Sequence, residues 1–217
     1  MGGHFRFDPA AQSMTFASAP KLVGRRSDIV DATLALAFEV GPDAVSTSLI
    51  AKRLGLTQPA LYKHFKTKDA IWLEISLKLS DRIRKNVQDC ASSTLAPEHA
   101  LRNLICRHLA FIQDVPALPD IMVMRHDSKP SQALRHRLQT EMSHLRTLMV
   151  DLIQLSQDRK IMRNDIGPTD IATLIIGVVQ SLVLRMIVSR DPSRLAIEGA
   201  RLFDLQIEIL AARGVPS

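Results

Sequence analysis

Residues 44–71 read Ala-Val-Ser-Thr-Ser-Leu-Ile-Ala-Lys-Arg-Leu-Gly-Leu-Thr-Gln-Pro-Ala-Leu-Tyr-Lys-His-Phe-Lys-Thr-Lys-Asp-Ala-Ile, and this stretch decides the fold. It spells two short helices joined by a tight turn. The first is expected to begin at Ser46, whose hydroxyl can cap the open amides of the first helical turn. Leu49, Ile50 and Leu54 supply its apolar face. Gly55 ends it, because glycine enters the left-handed region without steric cost. Thr57 caps the second helix, and Pro59 lies in its first turn, where a missing N–H does no harm. Leu61 and Phe65 turn inward, Gln58, Pro59, Ala60, Lys63 and His64 stay outside, and Tyr62 sits at the edge. Helix, glycine turn, helix is the pattern of a helix-turn-helix, whose second helix can enter the major groove of DNA.

Charge agrees with a polyanionic partner. Lys52, Arg53, Lys63, Lys66 and Lys68 fall between positions 52 and 68 without an acid among them, and the chain carries a formal charge of +6. Basic runs are commonly just solvated faces, so the position of Lys68 matters more than the sum. Thr67 caps the next helix, and Lys68 in its first turn has the wrong sign for the helix dipole. That placement makes sense if a phosphate docks there on backbone amides and lysine together.

The spacing of Ile50-Ala51, Gly55-Leu56-Thr57, Leu61-Tyr62, His64-Phe65 and Lys68 resembles the N-terminal domain of the TetR family of bacterial transcriptional regulators. Ile29, Ala32, Leu36 and Gly41 extend the likeness through a first helix, so it covers about residues 25–72. Two positions depart from the family pattern. The aromatic of the first helix stands one place late, at Phe38 after Ala37, and Pro59 replaces a commonly small residue.

The resemblance implies roles for single residues. Ser46, Tyr62, His64 and Lys68 are expected to hold backbone phosphates, with Thr57 beside them as the cap of the reading helix. Gln58 can pair with adenine, Lys63 can reach guanine, and Pro59 and Ala60 suit a thymine methyl. Arg25 and Arg26, just before the first helix, are placed for phosphates or an adjacent minor groove. Plainer roles compete: a partly packed Tyr62 ring, a capping or surface His64, a solvated Lys63.

The rest of the 217 residues reads as helices, with no alternating pattern that predicts a sheet. An all-α chain of about nine helices is expected. It divides into a flexible arm at 1–24, a helix-turn-helix domain at 25–67, a connecting helix at 68–89, and an effector-binding and dimerisation domain at 90–217. Pro97 opens a helix running to about Asp114, a short piece follows Pro116, and a long helix occupies roughly 130–157. Residues 171–188 contain 13 apolar residues of 18, interrupted by Thr173, Gly177, Gln180, Ser181 and Arg185. Those polar insertions speak against a membrane span, and a helix apolar nearly all round must be buried on more than one side. Helices at about 169–189 and 193–213 are therefore expected to meet a second copy of the chain, as in the family's four-helix dimer interface, on a palindromic operator.

Chemistry is not indicated. Glu141 and His144 have the spacing of half a di-iron helix motif, but the chain holds no second Glu-x-x-His. No enzyme activity, cofactor or metal is expected, and His108 and His126 are expected to be satisfied or exposed histidines. Cys90 and Cys106 suggest inert thiols in a reduced cytoplasmic setting, and residues 1–24 lack the apolar run of a signal peptide. The family implies a small-molecule effector in the C-terminal domain, and Arg107, Phe111, Met122, Arg125 and Met149 are its candidate contacts. Methionines suit an apolar pocket and arginines an anion, although core methionines and surface arginines are commoner. Control by a protein partner, or by no effector, is the competing reading. A helical enzyme with an incidental helix-turn-helix is the remote one.

Overall fold

A computed structural model describes residues 24–123 and 129–212 of the chain. Among them are nine α-helices and no strand. Three short or medium helices form the head: α1 (Arg25–Val40), α2 (Thr47–Arg53) and α3 (Gln58–His64), with a 3-10 turn at Pro42–Ala44 between the first two. Then come α4 (Lys68–Ala91), α5 (Pro97–Asp114), α6 (Leu118–Val123), α7 (Lys129–Asp158), α8 (Pro168–Ser189) and α9 (Leu195–Leu210).

Helix starts follow the hydroxyls and prolines of the sequence. Ser46, Thr57 and Thr67 each accept a backbone N–H three residues on, from Leu49, Ala60 and Ala70, at 3.1–3.3 Å. Pro97 and Pro168 begin α5 and α8, where their missing N–H is not needed. Gly41 and Gly55 have φ of +84° and +63°, so each turn needs the backbone that glycine tolerates best.

The head closes on Ile29, Ile50, Leu61 and Phe65, all essentially without exposure. Leu49 departs from its expected inward place and is 37% exposed, because Ile50 and Ala51 already fill the inner face of so short a helix. The 24 residues of α4 run about 36 Å from the head into the larger helical body, where the helix packs along α7 and α5. Its buried stripe, Ile71, Ile75, Leu79 and Ile83, has the four-residue period read from the sequence. Buried Asn86 on α4 donates to the Leu104 carbonyl of α5 at 3.1 Å, which satisfies polar groups inside that seam.

Farther along, α5 packs on α7 and α9, and α8 packs on α7 and α9. At Gly199 of α9 an added Cβ would stand 2.4 Å from Leu109 Cδ1, so the glycine permits the close approach of α9 to α5. Residues 161–163 and 210–212 pair as two short antiparallel segments. Arg163 N donates to Leu210 O and Ala212 N to Ile161 O, both at 2.9 Å, which closes the end of α9. That closure stops α9 at Leu210, short of the expected 213.

The pair α8 and α9 leaves a large apolar face open. Leu174, Leu184 and Val188 of α8, and Ile197, Leu205 and Ile209 of α9, are all exposed, Val188 and Ile197 by at least three quarters. By length and composition α8 could also cross a membrane. Its packing against the amphipathic helices α7 and α9 is that of one layer in a helical bundle.

Candidate DNA-binding surface

Every side chain expected to touch DNA sits on or beside α2, α3 and the start of α4, except the two arginines of α1. Gln58 and Pro59 are exposed at the first two positions of α3, Ala60 is half-buried, and Lys63 is exposed one turn on. His64 is half-buried at the last position. Ser46 and Thr57 spend an oxygen lone pair each on a cap and keep the hydroxyl proton for another acceptor. Lys68 opens α4, directly after its cap Thr67. Asp69 follows in the same turn, so the charge at this terminus is mixed.

Tyr62 is exposed, and its hydroxyl lies 3.3 Å from the Thr47 hydroxyl at the first position of α2. The two hydroxyls join the start of α2 to the middle of α3, and either can donate. Thr47 was not legible as a site residue, because only the crossing of α2 and α3 brings it to Tyr62.

The cations divide into two groups. Arg53 pairs with Glu39 of α1, and its guanidinium holds that carboxyl below its ordinary range. Among the described residues, no carboxylate pairs with Lys52, Lys63, Lys66 or Lys68. Neither α2 nor α3 has an acid in its first turn, so their positive dipole ends stay unopposed. Four unpaired lysines and two helix N-termini then share one small head.

Arg25 and Arg26 depart from the expected placement, for both lie inside the first turn of α1. Arg25 reaches Asp28 at 3.5 Å. Arg26 is engaged three times: Nη1 donates to the His64 carbonyl at 2.7 Å, Nη2 pairs with Glu74 at 3.0 Å, and its guanidinium stacks 4.1 Å over the Phe65 ring. It thereby caps the C-terminus of α3, where carbonyls lack helical partners. Its commitments are to the head itself.

The effector candidates do not gather at one opening. Phe111 and Met149 are closed in the core and Met122 packs against it. Arg107 faces α4 and pairs with Asp89 at 2.6 Å. Arg125 and His126 lie outside the described residues. A concavity of about 430 Å³ lies instead on α9, lined by Arg201, Asp204, Leu205 and Glu208. His108 differs from expectation too, being buried with Nδ1 unpartnered and pushed down to about 4 by burial. Glu141 pairs with Arg84 at 3.1 Å, and His144 Nδ1 lies 3.4 Å from its other carboxylate oxygen. Burial raises both cysteine thiols, which keeps them protonated.

A bundle of helices with an exposed, lysine-bearing helix-turn-helix defines a DNA-binding transcriptional regulator. Residues 29–75 match the family model of the bacterial regulatory proteins of the tetR family, and the chain belongs to that family. Over 43 residues it is 49% identical to the class A tetracycline repressor of Escherichia coli, a match spanning 20% of each chain. A longer likeness, 25% identity over 164 residues, links it to the nucleoid occlusion factor SlmA of Marinomonas sp. and covers 73% of this chain and 81% of that one. Among solved structures, the ketosteroid transcriptional regulator KstR2 of Mycobacterium tuberculosis has the same fold. It superposes with a TM-score of 0.73 at 18% identity, over 90% of this chain and 99% of that one.

Proposed function

We propose that this chain is a homodimeric repressor that binds a palindromic operator and leaves it when a small molecule enters the helical body. The observation that supports this best is the exposed α2–α3 surface mounted on α4, one continuous helix reaching into the body. Residues 25–67 act as the reading head, 68–89 as the connecting helix, and 90–217 as the effector-binding and dimerisation part, working in the cytoplasm.

Ser46, Tyr62, His64 and Lys68 anchor phosphates, while Gln58, Pro59, Ala60 and Lys63 face base edges, with Thr57 holding the start of their helix. The apolar faces of α8 and α9 bury one another across a two-fold axis, which sets the heads about 34–36 Å apart on successive major grooves. An effector contacting Phe111, Met122 and Met149 from within would tilt α4 and spoil that spacing. No reaction is catalysed.

Selection of duplexes from a random library, followed by titration at several salt concentrations, tests the reading. A two-half-site duplex should be recovered. Tyr62→Ala combined with Lys68→Ala should weaken its binding at least tenfold, with a shallower salt slope. Unchanged affinity would remove these anchors.

Control by a protein partner is the second reading. It draws on the match to nucleoid occlusion factors, which runs well past the head. Operator binding that no substrate of the neighbouring genes relieves would favour it.

A further inference from the structure

Phe38 lies in the last turn of α1, where carbonyls have no acceptor role inside the helix. In a continued helix its carbonyl would receive the N–H of residue 42, and Pro42 has none. The donor comes from 152 residues farther along the chain. Arg190 Nη1 donates to the Phe38 carbonyl at 2.7 Å. The same nitrogen is 3.1 Å from Asp120 Oδ2 of α6, and the guanidinium lies 5.3 Å from the Phe38 ring centroid. Arg190 follows α8 directly, and its φ of +53° is a left-handed conformation uncommon for a side-chain-bearing residue.

One arginine therefore fastens three elements: the end of α1 in the head, α6 in the body, and the end of α8. Its acceptor in the head is a backbone carbonyl, which moves only when α1 itself moves. The covalent link between head and body is α4, to which α1 is also tied by Arg26–Glu74 at 3.0 Å and Asp31–Lys78 at 2.7 Å. Arg190 and the small α1–α6 contact add a second attachment, away from α4, between α1 and the body.

We propose that Arg190 is a positioning residue that locks the angle of each DNA-binding head to the α6–α8 body, and so sets the half-site spacing the dimer accepts. This rests on the dimeric, operator-binding reading above. Because α8 is the helix offered to the second copy, the lock refers each head directly to the two-fold axis. Shifting α6 or the end of α8 would break a charge-assisted bond and release the head.

The test uses the full-length protein and duplexes from the random-library selection, rebuilt with the half-sites one base pair closer, at the selected spacing, and one base pair apart, plus a duplex with a single half-site. Wild type should prefer the selected spacing. Arg190→Ala should lose about tenfold in affinity at that spacing and flatten the preference, while single-half-site affinity stays within about twofold. Arg190→Lys, which keeps a cationic donor, should restore part of the preference. Asp120→Asn, which leaves α1 and α8 intact, should flatten it as well. Spacing preference unchanged in both Arg190→Ala and Asp120→Asn would overturn the lock. Equal losses on single and paired half-sites would also overturn it, reducing Arg190 to a residue that merely holds the head together. Recovery of only single half-sites in the selection would instead overturn the dimeric reading, and the lock's role with it.

Discussion

Arg26 and Lys63 carry the same charge on the same small head, yet their surroundings commit them differently. Arg26 is bound to the His64 carbonyl, to Glu74 and to the Phe65 ring, whereas Lys63 projects from α3 with no carboxylate beside it. Arg26→Ala should therefore destabilise the head by about 1–3 kcal/mol for a lost charge-assisted bond, read as a lower melting temperature, and leave the salt slope of DNA binding unchanged. Lys63→Ala should do the reverse, sparing stability and altering DNA recognition. If Lys63 contacts phosphate, the salt slope falls by about 0.9; if it reads guanine, discrimination at one position falls instead.

His108 makes a second prediction at this scale. Folding holds its imidazole down to about 4 from an ordinary 6.5, so between those values the unfolded chain binds a proton that the folded chain refuses. Stability must then fall as pH drops through that window, and a shift of this size is worth about 3 kcal/mol. His108→Leu should shrink the difference between urea midpoints measured at neutral and mildly acid pH. The histidine's burial was not legible, since a lone histidine on an amphipathic helix can face either way.

At the scale of elements, the turn between α2 and α3 depends on Gly55. Its φ is +63° and an added Cβ would meet nothing within 4 Å, so Gly55→Ala costs only backbone conformation. A loss of about 1–2 kcal/mol is expected, with weaker DNA binding in step because α3 loses its angle to α2. Thermal melts and duplex titrations check both. Helix starts were the most legible part of the sequence, because Ser46, Thr57, Thr67 and Pro97 act on the turn they occupy. Leu49 was misplaced for a related reason. In a helix of seven residues the period alone does not say which of two adjacent apolar residues wins the inner position.

At the scale of the whole molecule, α8 and α9 leave Leu174, Leu184, Val188, Ile197, Leu205 and Ile209 exposed. Leu184 and Val188 are exposed by 62% and 78%, and contiguous apolar patches of this kind mark interaction surfaces. Leu184→Glu with Val188→Glu should yield monomers in sedimentation while keeping helical content. Affinity for a two-half-site duplex should fall toward that of a single half-site. Wild-type monomers at micromolar concentration would contradict the assignment of that face.

The sequence by itself determined the family, the helix-turn-helix, the order of the helices and the chemistry of the residues turned outward on α2 and α3. Those properties depend on periodicity, capping groups and glycine turns, which act over a few neighbouring positions. Only the tertiary structure decided what the long charged side chains do. Arg26 finds Glu74, Arg107 finds Asp89, and Arg190 finds Phe38, partners 18 to 152 residues away along the chain. An arginine reaches several ångströms in any direction, and its partner is chosen by which helices cross beside it, which local sequence does not record.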